Sequence, residues 1–292
     1  MLNTNNLNKN NTYISIWLYL SLFLVSSLIF IGGLTRLTES GLSITNWEIL
    51  SGILPPLTEK KWEEYFSLYK KIPQYKEINF GMSLAEFKYI FWWEYIHRIL
   101  ARLASLVFIL PFIYFLIKKI LSFKQIILYS IISFLFFFQG FLGWYMVKSG
   151  LILKTDVSHF RLSIHLLGAQ IILSLIFFSI LFRNVKKIRF NINSYLIIFF
   201  LLLVYLQIVI GAFVSGLDAA KIYQTWPLMN GNFVPEDVFI KEFSNSKSYS
   251  SPSHVQFLHR IVAYFTIIIF SFIFYFLDRK STRLNSSHPS RS

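Results

Sequence analysis

Six stretches of this chain stay apolar for the thickness of a bilayer, and that leaves few folds open to it. A helix needs roughly 20 mostly apolar residues to cross the hydrocarbon layer. The runs at about 14–34, 94–117, 125–147, 161–182, 195–216 and 256–277 meet that length. In lipid each backbone N–H and C=O has to be satisfied within the segment, so runs this apolar favour long helices. Charged residues make up only 14% of the chain, against roughly 25% in soluble domains. The chain is expected to be an all-α integral membrane protein, a helical bundle.

The net charge of +14 invites a nucleic-acid reading, but its placement argues against one. The link after the second run carries Lys118, Lys119 and Lys124, and the link after the fourth carries Arg183, Lys186, Lys187 and Arg189, with no acid in either. Residues 35–93, by contrast, hold seven basic and seven acidic side chains. Basic short links mark the cytoplasmic side. Both termini are therefore expected there, with the long loops at about 35–93 and 217–255 outside, in the periplasm of an inner-membrane protein. The charge encodes topology in the lipid bilayer and implies no nucleic-acid partner. The Asn-rich start, with no small-residue cleavage site, reads as a cytoplasmic tail over 1–13 and not as a signal peptide. With no cysteine, disulfides, thiolate metal sites and cysteine nucleophiles are excluded.

The chain also repeats itself. Gly32, Trp47 and Pro56 each precede Gly211, Trp226 and Pro235 by 179 residues. Glu94-Tyr-Ile-His97-Arg98 is echoed by Gln256-Phe-Leu-His259-Arg260, and Gln139-x-x-x-Gly143 by Gln207-x-x-x-Gly211. Repeated units are common in membrane bundles, and sites form where they meet. A four-helix unit over 14–183 is then followed by a partial copy over 184–280, so six of eight expected spans are present. The polar stretch 281–292 matches nothing in the first half and is expected to be a foreign tail.

Ionisable groups within the apolar runs carry the chemistry, because such groups are costly in lipid and face the bundle interior. The second run opens with Glu94-x-x-His97-Arg98 and adds Arg102; the fourth opens with Arg161-x-x-x-His165; the sixth carries His259-Arg260. Three histidines, each about a turn inside the outer end of an even-numbered span, suit a flat cofactor gripped between helices. Heme fits better than a bare metal. Imidazole ligates its iron, its ring matches Phe-rich walls, and its propionates need cations such as Arg36, Arg98, Arg161 and Arg260. Zinc or a di-iron centre would call for more carboxylates or thiolates. Glu94 shares a helix face with His97 and has two readings, a chemical role at the heme or neutralisation of Arg98. Close helix packing explains Gly32, Gly33 and Gly211 as well as cofactor contact does. His159 and His254 are expected in loops, and His288 in the tail. Trp47 and Trp226 are expected in outer loops at the interface, and the stretch around Trp62–Tyr75 as an amphipathic helix on the membrane surface.

The motifs Gly-Gly-Leu-Thr-Arg-Leu-Thr-Glu-Ser-Gly-Leu-Ser (32–43), Glu-Tyr-Ile-His-Arg (94–98), Gly-Trp-Tyr-Met-Val-Lys-Ser-Gly-Leu (143–151), Arg-Leu-Ser-Ile-His-Leu (161–166), Gly-Ala-Phe-Val-Ser-Gly-Leu (211–217) and Gln-Phe-Leu-His-Arg (256–260) resemble those of the heme A synthases. The likeness is to the branch without a cysteine pair in its outer loop, and it covers about 12–280. It implies an eight-helix bundle of two halves. The first would hold heme O as substrate between His97 and His165, with Glu94 near the C8 methyl group. The second would hold heme b through His259 and a histidine on the eighth helix. The implied reaction oxidises that methyl to a formyl group, giving heme A for cytochrome oxidase, with water as the oxygen source. A heme O synthase and an electron acceptor are implied partners. With spans seven and eight absent, His259 has no visible axial partner, and the chain is expected to be impaired. The competing readings are a membrane di-heme cytochrome b that only carries electrons, and a transporter built on a repeated bundle.

Overall fold

A computed structural model of the chain describes residues 4–46, 51–153, 155–183, 185, 192–238 and 246–286. Trp47, Lys186, Lys187, Arg189 and His288 lie outside the described residues. The described elements are helical: α1 (Thr4–Leu37), α2 (Glu59–Tyr69), α3 (Pro73–Glu77), α4 (Leu84–Ile117), α5 (Phe123–Leu153), α6 (His159–Phe182), α7 (Ile192–Gly216) and α8 (Pro252–Ser286). Among them α1, α4, α5, α6, α7 and α8 are long and apolar enough to cross a membrane. The chain is a multi-pass membrane helical bundle. It divides into two compact units, Met1–Val185 and Lys186–Ser292.

In the first unit α1 packs on α4 and α6, and α5 on α6 and α4. The core is aromatic: Trp17 lies against Phe108, Phe115 and Tyr129, and its indole N–H donates to the Val107 carbonyl at 3.0 Å. Hydroxyls within the spans are satisfied locally. Ser21, Ser133 and Ser179 each donate to the carbonyl four residues back, which hides a polar group in lipid without an outside partner. Phe23, Phe30, Phe134 and Phe137 point outward and exposed, as expected where the solvent is hydrocarbon. In the second unit α7 packs on α8, with short 3-10 turns at Ala219–Lys221 and Ser246–Ser250 against them.

Several helices outrun their apolar cores. α4 begins at Leu84, ten residues before the apolar run, because Ser83 and Glu86 form a capping box that satisfies free N–H groups at the helix start. α8 begins at Pro252, where proline suits the first turn, and continues to Ser286, so residues 281–286 are helical. The amphipathic stretch after Thr58 does not expose its apolar face. Trp62, Phe66 and Tyr69 of α2 are buried with Phe87, Ile90 and Phe91 of α4, so the face expected to meet the membrane covers the end of α4 instead.

Candidate active site

Three histidines face three glycines. A Cβ built on Gly32 of α1 would stand 3.0 Å from Cε1 of His97 on α4. One on Gly143 of α5 would stand 3.6 Å from Cε1 of His165 on α6, and one on Gly211 of α7 would stand 3.1 Å from Cε1 of His259 on α8. Each imidazole thus lies in a notch left by a missing side chain on the neighbouring helix. In all three the Nδ1 atom is buried and has no hydrogen-bond partner, a costly arrangement for a polar atom held out of water. His165 is among the titratable neighbours of His97, so the first unit brings two of these rings to one region. Among the described residues no three His, Cys, Asp or Glu side chains gather to hold a bare metal ion. Imidazoles in apolar, glycine-lined notches fit a heme, which takes its iron ligands from opposite faces and fills the remaining space with an apolar ring.

Two glutamines stand one turn deeper than two of these glycines. Gln207 places Nε2 3.2 Å from Nε2 of His259 and also donates to the His259 carbonyl at 3.1 Å. Gln139 lies against Gly168, where an added Cβ would collide with its Nε2, and both of its amide atoms are buried without a partner. In the sequence these residues served only to mark the repeat. Their spacing of four from a glycine that faces a histidine is the signal that places them.

Glu94 is 3% exposed and accepts four hydrogen bonds. Its Oε2 accepts from the Ser43 hydroxyl at 2.7 Å and from the Ile44 N–H at 2.7 Å. Its Oε1 accepts from Nε of Arg98 at 3.1 Å and from Nη2 at 2.5 Å. The same Nη2 reaches the Ile44 carbonyl at 3.0 Å. The Ile44 peptide is therefore gripped at its N–H by the carboxylate and at its C=O by the guanidinium.

The turn carrying Ser43 is itself braced. Glu39 adopts a left-handed φ of 53° just past α1, and its carbonyl accepts from the Gln74 amide at 2.9 Å. Gln74 accepts in turn from the Tyr69 hydroxyl at 3.0 Å, which accepts from Asn79 at 2.7 Å. Burial pushes the Tyr69 hydroxyl up to about 12, so it keeps its proton and its bond to Gln74. Leu42 fits at Gly150 of α5, where a Cβ would come within 2.8 Å of its Cδ2.

The arginines are engaged within the protein. Arg36 pairs with Asp156 at 3.2 Å. Arg98 and Arg102 line a small cavity with Ile44, Tyr65, Phe91 and Tyr95. Arg161 lies over the Tyr145 ring and donates to its hydroxyl at 3.2 Å. Arg260 donates to the carbonyls of Thr225 and Tyr223 at 2.8 and 2.9 Å. Two histidines depart from the loop positions expected for them. His159 opens α6 half-buried, and His254 sits in the first turn of α8, 3% exposed. Both follow from helices that start before their apolar runs do.

Comparison with known proteins agrees in family. Residues 15–289 match the family model described as cytochrome oxidase assembly protein, COX15-CtaA. A heme A synthase of Pelagibacter ubique is 51% identical over 269 residues, covering 90% of this chain and 80% of the relative. One from Rickettsia bellii is 44% identical over 277 residues, covering 92% and 82%. One from Flavobacterium psychrophilum is 44% identical over 271 residues, covering 90% and 80%. No solved structure matches the chain. With a family model that spans nearly all of it and relatives this similar, the chain belongs to the COX15-CtaA family of cytochrome oxidase assembly proteins.

Proposed function

We propose that the chain is a heme A synthase, which oxidises the C8 methyl group of heme O to a formyl group, and that Glu94 is its catalytic residue. The observation that carries this reading is a buried carboxylate one helical turn from His97, in the unit where His97 and His165 converge. Turning a methyl group and one water into an aldehyde releases four protons and four electrons. Positive charge therefore develops at the reacting carbon, and protons have to leave it. Glu94 would stabilise that charge or move a proton, and the donors on both of its oxygens fix where it stands. Arg98 and the Ser43–Ile44 turn hold the carboxylate in place. His97 and His165 would bind the substrate iron from opposite faces, and the notches at Gly32 and Gly143 let the rings sit back against their neighbouring helices.

In the second unit His259 would ligate heme b, whose bound iron supplies a one-electron relay. Gln207 would steady the ring of His259. We place the chain in the inner membrane with its short basic links in the cytoplasm, since Lys118, Lys119 and Lys124 cluster in one link without an acid. A separate electron acceptor and a heme O synthase upstream complete the reaction as partners.

Expression of Glu94→Gln in cells that make heme O tests the reading. Extracted heme A should fall about 100-fold or more, within the range for removal of a group acting on the transition state, while the histidine-bound heme content is kept. Heme A at wild-type yield in the variant would sink the assignment of Glu94. A wild-type chain that yields only heme b would point to an electron-carrying cytochrome instead.

A further inference from the structure

The second unit contains a copy of the Glu94 arrangement in which an amide stands in place of the carboxylate. Ile44 and Tyr223 lie 179 residues apart, the same spacing that separates Gly32 from Gly211. Gln256 stands three residues before His259, as Glu94 stands before His97. Its Oε1 accepts from the Tyr223 N–H at 3.2 Å, and its Nε2 donates to the Tyr223 carbonyl at 2.8 Å. Arg260 reaches that carbonyl at 2.9 Å, as Arg98 reaches the carbonyl of Ile44. In both units the loop peptide is thus held at its N–H and at its C=O, by Arg98 at the carbonyl of Ile44 and by Gln256 with Arg260 at that of Tyr223.

What differs is a hydroxyl. The residue before Ile44 is Ser43, which is 1% exposed and donates to Glu94 at 2.7 Å. The residue before Tyr223 is Ile222, which is 45% exposed. A neutral amide closes the grip in the second unit with no third donor, so the fold does not require one. The added donor is found where the side chain is a carboxylate. Among the described residues the Ser43 hydroxyl otherwise reaches the Ile90 carbonyl, at a longer 3.4 Å.

A carboxyl group at the end of a three-torsion side chain has a broad terminal rotor. Arg98 holds Oε1 through Nε and Nη2, and without the hydroxyl a single N–H would be left to hold Oε2 against rotation of the plane. A hydroxyl and an N–H on Oε2, with a guanidinium on Oε1, fix the plane of the group. We propose that Ser43 is a positioning residue for Glu94, holding its carboxylate plane in the orientation the reaction uses. This rests on the reading of Glu94 as the catalytic group.

The full-length chain carrying Ser43→Ala, in membranes supplied with heme O, tests the proposal beside Glu94→Gln. Ser43→Ala should lower kcat about 10-fold, leave KM for heme O within twofold, and leave bound heme and the absorption spectrum unchanged. Infrared difference spectra, with Glu94→Gln subtracted to isolate one carboxylate, should show its antisymmetric stretch shifted in Ser43→Ala. A kcat within twofold of wild type, an unshifted stretch, or a loss that follows heme content overturns the positioning role. If Glu94→Gln is fully active, the underlying reading of Glu94 fails; if it is inactive while Ser43→Ala matches wild type, only this proposal does.

Discussion

The turn after α1 and the turn after α7 solve one problem with different chemistry. In each a loop peptide is gripped by a later helix, Ile44 by α4 in one unit and Tyr223 by α8 in the other. The second tie uses a neutral amide, which donates and accepts at once and leaves no charge buried. The first uses a carboxylate 3% exposed and a guanidinium 12% exposed. A buried ion pair contributes little to stability over a neutral alternative, since desolvation offsets its attraction. The amide copy shows that a peptide grip of this kind does not need the pair, which agrees with the chemical role proposed for Glu94.

Exchanging the two side chains is the strongest way to break that comparison. Glu94→Gln should remove heme A formation, and because it leaves the Arg98 guanidinium without its carboxylate it should also lower the unfolding midpoint, with a loss of stability of up to about 3–5 kcal/mol. Gln256→Glu should act on stability. It replaces the donor facing the Tyr223 carbonyl with a second acceptor, at a cost of about 1–3 kcal/mol, read as a lower unfolding midpoint of the detergent-solubilised protein. Heme A formation retained in Glu94→Gln would erase the distinction between the units.

The glycine notches sharpen the comparison at a smaller scale. Gly32→Ala and Gly211→Ala each bring a methyl to about 3 Å of an imidazole carbon, tighter than ordinary contact, so each should lower heme occupancy in its own unit. Gly143→Ala reaches His165 only at 3.6 Å and should cost the least of the three. The ratio of heme to protein, resolved by heme type, checks this order. The smallest effect is expected at Arg36. Its bond to Asp156 joins side chains 19% and 36% exposed, and such partly exposed pairs contribute roughly 1 kcal/mol or less. Asp156→Asn should therefore shift the unfolding midpoint only slightly; a large drop would show that this pair is structural.

Much of the architecture was legible because lipid imposes a strong rule on sequence. The apolar runs placed six spans, and the residues 32–43, 94–98 and 256–260 carried the family. The helix starts were less legible. α4 gains ten residues from a capping box at Ser83 and Glu86, and α8 gains a buried His254 from its early start at Pro252; neither shows in hydropathy. The pairing of Glu94 with Arg98 was open to reading, since four residues is one helical turn. The partners of Arg36, Arg161 and Arg260 were not. Asp156, Tyr145 and the carbonyls of Tyr223 and Thr225 are 16 to 120 residues distant in sequence, and a long flexible side chain carries no local signal of where it will end.

By itself the sequence determined the solvent, the six spans, the repeat and the histidines, because each is written in spacing along one chain. Only the tertiary structure decided which groups meet: that Gly32 faces His97, that Gln207 reaches His259, and that the Ser43 hydroxyl closes on Glu94 while Ile222 offers its counterpart nothing. Those contacts depend on the register at which separate helices and loops pack, and hydrophobic pattern constrains which face is buried far more than it constrains which atoms touch.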